Sequence, residues 1–202
     1  MAETLSKFGV PLDGSRLGIL HPKQSYRFRV LFKNFGVQGA DLKELTAGVK
    51  TVTRPQISST NDVMLHSYNS IGKIAGKHEW GDMTLTVRDD LTSAVAKHVG
   101  AQMQKQFNFF EQTSAVAGIN YKFSMEVQML DGTDNEALEA WVCEGCYLKG
   151  VEYGEHDYES SESMMISMTI SIDNATHIAG PAGTVDPMVP EGVAGIDGRT
   201  FG

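Results

Sequence analysis

The stretch Gly76-Lys-His-Glu-Trp-Gly-Asp-Met-Thr-Leu-Thr-Val-Arg-Asp-Asp90 decides how the chain is read. Met83, Leu85 and Val87 alternate with Thr84, Thr86 and Arg88. Side chains on a strand point to opposite faces at a period of two, so this is a strand with one apolar and one hydroxyl-rich face. It stops on two aspartates. A short carboxylate accepts well from the free amides of a first helical turn, so Asp89 or Asp90 is expected to cap a helix. Leu91, Val95, Val99, Met103 and Phe107 then recur every four residues, which predicts one apolar stripe on a helix of about 91–110.

The same alternation recurs on both sides of this strand. In 26–33, Tyr26, Phe28, Val30 and Phe32 share one face against Arg27, Arg29 and Lys33. In 121–130, Tyr121, Phe123, Met125, Val127 and Met129 oppose Lys122, Ser124, Glu126 and Gln128. The run 163–172 alternates again, 47–53 reads as a shorter strand, and Trp141 and Val142 mark a further strand followed by a turn. Residues 54–77 form a long polar segment, expected to be an extended hairpin with a strand near 63–68. Six or seven strands with one polar face each, and one patterned helix, predict a mainly β fold: an antiparallel sandwich or barrel with one flanking α-helix. The divisions are an arm over 1–25, a β domain over 26–176, and a Gly/Pro-rich extension over 177–202.

Composition narrows the function. The 202 residues carry 25 acidic and 17 basic side chains, a formal charge of −8. A general nucleic-acid binder needs a basic footprint, which this chain lacks. No stretch approaches the roughly 20 apolar residues of a membrane span, and the start has no signal-peptide run. With two cysteines, Cys143 and Cys146, the chain reads as made in a reducing cytoplasm.

Chemical motifs fail one after another. His78-Glu-Trp-Gly-Asp82 has Asp where a zinc-protease helix needs its second His. Gly72-Lys-Ile-Ala-Gly-Lys77 is one residue short of a phosphate loop and precedes a strand. Cys143-Glu-Gly-Cys146 is a single pair, too few for a four-ligand zinc site. Residues 131–136 lack calcium-loop spacing. The six histidines are scattered, with His98 near the helix stripe and more naturally packed than catalytic, and the methionines of 163–168 read as core. Nothing assembles a nucleophile, a base and an oxyanion donor, so no enzyme, metal or cofactor is expected.

The order of elements carries a resemblance. The Glu79–Asp90 strand before the helix resembles the tail tube proteins of contractile-tailed bacteriophages. So does the closing pattern with Trp141, Gly145, Tyr158 and Asp173. The likeness spans residues 26–176. It implies two packed sheets with a flanking helix, six subunits to a ring, and four strands from each subunit in a continuous inner β-barrel. Rings would stack into a hollow tube inside a contractile sheath. Implied partners are further copies of the chain, the tail sheath protein, a tape-measure protein in the lumen, the baseplate initiator and the tail terminator. Double-stranded DNA would pass without specific binding, and the chain alone would insert in no membrane. The implied location is the virion, after assembly in the host cytoplasm. A baseplate tube-initiator, or the tube protein of a type VI secretion or contractile-bacteriocin machine, shares the fold and stays open.

Within that frame a net acidic or neutral wall suits a conduit, because it repels phosphates. Glu126 and Gln128 are the candidate lumen-facing residues, although alternation alone does not tell lumen from exterior. Arg54, Tyr68, Asn69 and Lys73, on the hairpin 54–77, are the candidate contacts between rings. The extension 177–202 is a candidate wrap on a neighbouring subunit or the sheath.

Overall fold

A computed structural model describes residues 23–37, 39, 42–130, 137–159 and 161–179. The expected arm therefore lies almost wholly outside the described residues, as does the extension from 180 onward and the acidic turn 131–136.

In chain order the elements begin with β1 (Phe28–Lys33), a short helix α1 (Lys43–Gly48) and β2 (Val49–Val52). Four strands follow: β3 (Ile57–Thr60), β4 (Val63–Ser67), β5 (Ser70–Ile74) and β6 (Lys77–Trp80). Next come β7 (Met83–Arg88), the main helix α2 (Ala94–Gln106), and a small hairpin of β8 (Phe107–Asn108) and β9 (Thr113–Ser114). The rest is β10 (Phe123–Leu130), the 16-residue β11 (Ala137–Glu152), β12 (Met165–Ser171) and β13 (Asn174–Ala179). The fold is mainly β, and among the described residues every pairing is antiparallel.

Two sheets share β11. Its first half lies between β10, which pairs with β1, and β13. Its second half pairs with β12, which pairs with β7 and then β2. The strand changes sheet at Gly145, whose φ of +67° puts it in the left-handed region. A Cβ there would lie 2.2 Å from the Asp173 carboxylate, so only glycine fits the bend. The sequence reading put a turn after Val142. The chain instead continues as strand through Cys143 and Cys146, because the glycine bends the ladder without ending it.

The alternating apolar positions form the core. Val30, Phe32, Phe123, Met125, Val127, Cys143 and Ala175 of the first sheet face Met83, Leu85, Val87, Leu148, Ile166, Met168 and Ile170 of the second. Phe35, from the loop after β1, is buried in this core, with its ring 4.9 Å from that of Phe123 in an edge-on contact.

The helix departs from its expected span. It begins at Ala94 and ends at Gln106, Leu91 is solvent-exposed, and Phe107 belongs to a strand. Ser93 is the residue at the cap, with φ +54°. Asp90 still serves the helix start, since its Oδ1 accepts from the Ala94 amide at 3.0 Å. The buried face is Val95, His98, Val99, Gln102 and Gln106. His98 packs against Gly36. The two glutamines stitch backbone edges. Gln102 Oε1 accepts from the Gly36 amide, and its Nε2 donates to the Tyr121 carbonyl. Gln106 Nε2 donates to the Leu148 carbonyl at 2.9 Å, and its Oε1 accepts from the Leu148 amide at 3.0 Å. One side-chain amide thus replaces a neighbouring strand at the edge of β11.

Two further elements escape the sequence reading. Residues 43–48 are helical, so β2 is shorter than the stretch 47–53. Residues 174–179 pair with β11 as β13, so the sheet runs past the expected boundary at 176.

Candidate assembly surfaces

Strands β3–β6 and β4–β5 form one long arm between β2 and β7. Ile57 pairs with Trp80 and Thr60 with Lys77; Val63 then pairs with Ile74 and Ser67 with Ser70. The two ladders keep a common register across a break at Asn61–Asp62 and Ala75–Gly76. The break is built, not loose. Asn61 has φ +57°, and the Gly76 amide donates to Asp62 Oδ1 at 3.0 Å and to Ser59 Oγ at 3.1 Å. A Cβ on Gly76 would fall 2.0 Å from the Thr60 carbonyl oxygen. The Ser59 hydroxyl, which donates to Asp62 at 2.5 Å, holds that carboxyl below the usual range, helped by the Gly76 amide.

Beyond the break the arm touches no core. Every residue of β4 and β5 is exposed, yet Val63, Met64, Leu65, Ile71 and Ile74 are among them. Val63, Leu65, Gly72 and Ile74 share one face by register, and Met64, His66, Ile71 and Lys73 share the other. Exposed aliphatic side chains on an ordered ladder are what a docking surface needs. At the tip, Tyr68 has φ +48° and is 110% exposed.

Tyr68, Asn69 and Lys73, singled out from the sequence, therefore lie together on the distal arm. Arg54 does not join them. It sits at the root, where its NH2 is 3.6 Å from Glu139 Oε1 and 3.5 Å from Met129 Sδ. Glu139, only 7% exposed, also receives the Lys23 ammonium and lies 3.8 Å from His177 Nε2. His177 stacks on Trp141 at 4.4 Å between ring centres. Burial works to raise the Glu139 pKa, but the Lys23 hydrogen bond and the charges around it win, and the carboxyl titrates below its ordinary value. One carboxylate thereby ties together Lys23 ahead of β1, the arm root and β13.

The outward faces of the two sheets differ. On the first, Arg29 opposes Gln128, Leu31 opposes Glu126, and Lys33 opposes Ser124. Gln128 is 4% exposed: its Oε1 accepts from Arg29 at 3.0 and 2.6 Å, and its Nε2 donates to Glu126 Oε1 at 2.6 Å. Glu126 and Gln128 are thus brought together, inside a network with Arg29 and Lys33. On the second sheet, Thr84 opposes Thr169 and Thr86 opposes Ser167 and Thr51. Ser171 extends this face. It is a field of hydroxyls, bordered by the Lys149–Asp82 ion pair at 2.6 Å.

The motifs that failed as chemistry have structural places. Cys143 and Cys146 are buried on either side of the Gly145 bend, unpaired, with burial pushing each thiol up to about 12. His78 lies on β6 opposite Ser59. Tyr158 is fully exposed, and Asp173 pairs with Lys122.

Sequence reasoning treated the arm as polar and missed its aliphatic residues, because alternation normally signals a residue's own core. It also missed the β8–β9 hairpin, where Phe109 and Phe110 are exposed. The signal was the run Phe107-Asn-Phe-Phe110, which continues apolar past the end of the helix.

No family model matches the chain, and no curated protein matches it in sequence. Solved structures match it in fold. One is the tube-terminating cap of the anti-feeding prophage, with TM-score 0.59 and 13% identity over 85% of this chain and all of that one. Another is a chain of the PVC extracellular contractile injection system, in its extended sheath–tube complex, with TM-score 0.55 and 13% identity over 88% and 99%. A third is the SPP1 tail tube, with TM-score 0.52 and 14% identity over 79% and 80%. The chain has the fold of these tube and tube-end proteins.

Proposed function

We propose that this chain is the structural protomer of a contractile phage tail tube: six copies close a ring, and rings stack into a hollow conduit for DNA. The observation that carries the reading is the arm, an ordered two-stranded ladder with half-exposed aliphatic side chains and no core of its own, mounted on the tail-tube fold. Such a surface is costly for a lone molecule and useful to one that meets its own copies. The arm, through Tyr68, Asn69 and Lys73, reaches the next ring. Arg54 acts one step back, holding the arm root on Glu139.

The second sheet faces the channel in this reading. Its outward face is mostly hydroxyl, from Thr84, Thr86, Ser167, Thr169 and Ser171, with the cation Arg88 at one end and Lys149 neutralised by Asp82 at the border, so it holds phosphates weakly and DNA slides past. Glu126 and Gln128 line the channel only if the first sheet turns inward. Single cysteines at Thr169 and at Glu126, labelled from outside on intact tubes, separate the two: the lumen position reacts slowly. The sheath, tape-measure protein, baseplate initiator and terminator are the partners that follow, and the virion tail is the location.

Likeness to a tube-terminating cap supports a tube-end role as the second reading, and an initiator, type VI or bacteriocin tube stays within the same fold. Copy number per particle distinguishes a tube protomer from an end piece. Electron microscopy of the purified chain, with mass measurement alongside, tests the main reading. Six-fold rings or hollow tubes support it. A monomer that also fails to extend pre-formed tail baseplates defeats it.

A further inference from the structure

The arm has a direction. In the second sheet Thr51 pairs with Thr86 and Val52 with Leu85, and the same register runs on through Ile57–Trp80 and Val63–Ile74 to Ser67–Ser70. Between these ladders the Thr53 amide donates to the Thr84 carbonyl, and the Gly81 amide donates to the Gln56 carbonyl. The arm is therefore the edge ladder of the second sheet, prolonged past Met83. Lys73 stands ten residues before Met83, roughly 33 Å at the rise of a strand. β7 itself spans only about 20 Å by the same measure. The distal arm thus stands clear of its own sheet and overlaps the near end of a copy stacked in line with it.

In a head-to-tail stack that near end is the Arg88 end of the sheet, and the loop between β11 and β12 occupies it. Met165 pairs with Arg88, and the Asp89 amide donates to the Met164 carbonyl at 3.0 Å. The loop is shaped in advance, so it loses little entropy on binding. Gly154 has φ +80°, and a Cβ there would lie 2.9 Å from the Met165 carbonyl oxygen. Asp157 Oδ1 accepts from the Glu159 amide at 3.0 Å. The loop borders a cleft of about 790 Å³, lined by Met164 and Met165 together with Glu155, Asp157 and Glu162. Over 153–164 the acids are Glu155, Asp157, Glu159 and Glu162, and there is no Lys or Arg. The distal arm is the converse. Over 63–74 it has no acid and carries Lys73 and His66. Its two faces differ by register: Val63, Leu65, Gly72 and Ile74 are uncharged, whereas Met64 and Ile71 share a face with His66 and Lys73. The second face matches the cleft in kind, cation against carboxylate and aliphatic chain against methionine.

We propose that the Met64–His66–Ile71–Lys73 face of one copy's arm seats in the β11–β12 cleft of a copy in the next ring. Lys73 lies among the carboxylates of Glu155, Asp157 and Glu159, and Met64 and Ile71 pack on Met164 and Met165. The uncharged face of the arm is left for other copies. The inference rests on the tube reading and names the arm's seat within it.

The test reverses these charges in full-length chains and reads the concentration needed for assembly by sedimentation. Lys73→Glu and, separately, Glu155→Lys/Glu159→Lys should each raise it about tenfold, because like charges then face each other. All three side chains are exposed, so each monomer should melt as the parent does. Asp157 stays in place because it holds the Glu159 amide. Both penalties should shrink in about 1 M salt, where the Debye length falls to about 3 Å. A chain with all three substitutions restores the contact with its signs exchanged and should assemble near the parental concentration. If the parent forms tubes while either reversal assembles at the parental concentration, or the combined chain assembles no better than the worse of the two, the proposal is overturned and the tube reading stands. A parent chain that never assembles defeats both.

Discussion

The sandwich and the arm are both antiparallel β-structure, yet they are held by different means. In the sandwich, alternation sends every second side chain into a shared core: Leu85, Met168 and Leu148 are fully or almost fully buried. In the distal arm the same alternation sends Val63 and Leu65 to one side and Met64 to the other, and all stay in solvent. The arm's order comes from its ladder, its tip turn and the locked break at Gly76. Folding free energy is therefore concentrated in the sandwich, and the arm keeps its apolar surface for another molecule. Fold stability and assembly should separate cleanly under mutation.

The largest expected effect tests that separation. Leu65→Asp/Ile74→Asp should raise the concentration needed for assembly about a hundredfold. Its monomer stability should stay within about 0.5 kcal/mol of the parent, since both sites are exposed. Sedimentation and urea melts read the two quantities; a large loss of monomer stability would break the comparison. Within the sandwich, Gly145→Ala places a Cβ against Asp173 in the left-handed region and should cost at least about 2 kcal/mol in a urea titration. Gln106→Ala leaves the Leu148 amide and carbonyl without their partner at a buried edge, worth about 2 kcal/mol.

The smallest effect concerns the link between the two regions. Glu139 titrates below its ordinary value in the folded chain, so its ion pairs contribute stability above the unfolded pKa of about 4.3. That contribution disappears as pH falls through the folded pKa. Glu139→Gln should cost about 1 kcal/mol near neutrality, where the half-exposed Lys23 and Arg54 limit the gain, and the gap to the parent should close below pH 4. Urea midpoints across this range check the sign; a gap that widens on acidification would contradict it.

How much of this could be read beforehand follows from the same contrast. β1, β7, β10 and β12 were legible because each has apolar residues at a period of two and a core to receive them. Gly145 and Asp173 were legible as markers, though not as a bend, since a left-handed φ leaves no trace except the glycine itself. β13 was hidden: Asn174-Ala-Thr-His-Ile-Ala179 has little periodicity of its own, and β11 supplies its ladder. The inward face of α2 was misread because Gln102 and Gln106 look like surface residues until a bare strand edge is put beside them. Arg54 was grouped with the arm tip by sequence proximity, whereas the Glu139 carboxylate, 85 positions later, holds it at the root.

Hydrogen–deuterium exchange on dissociated and assembled protein tests the central claim most directly. The account predicts that amides of 57–80 exchange fast in the free chain and become strongly protected on assembly, while those of β10, β11 and β12 are protected in both states. An arm that is already protected in the free chain, or that stays unprotected in tubes, would contradict it.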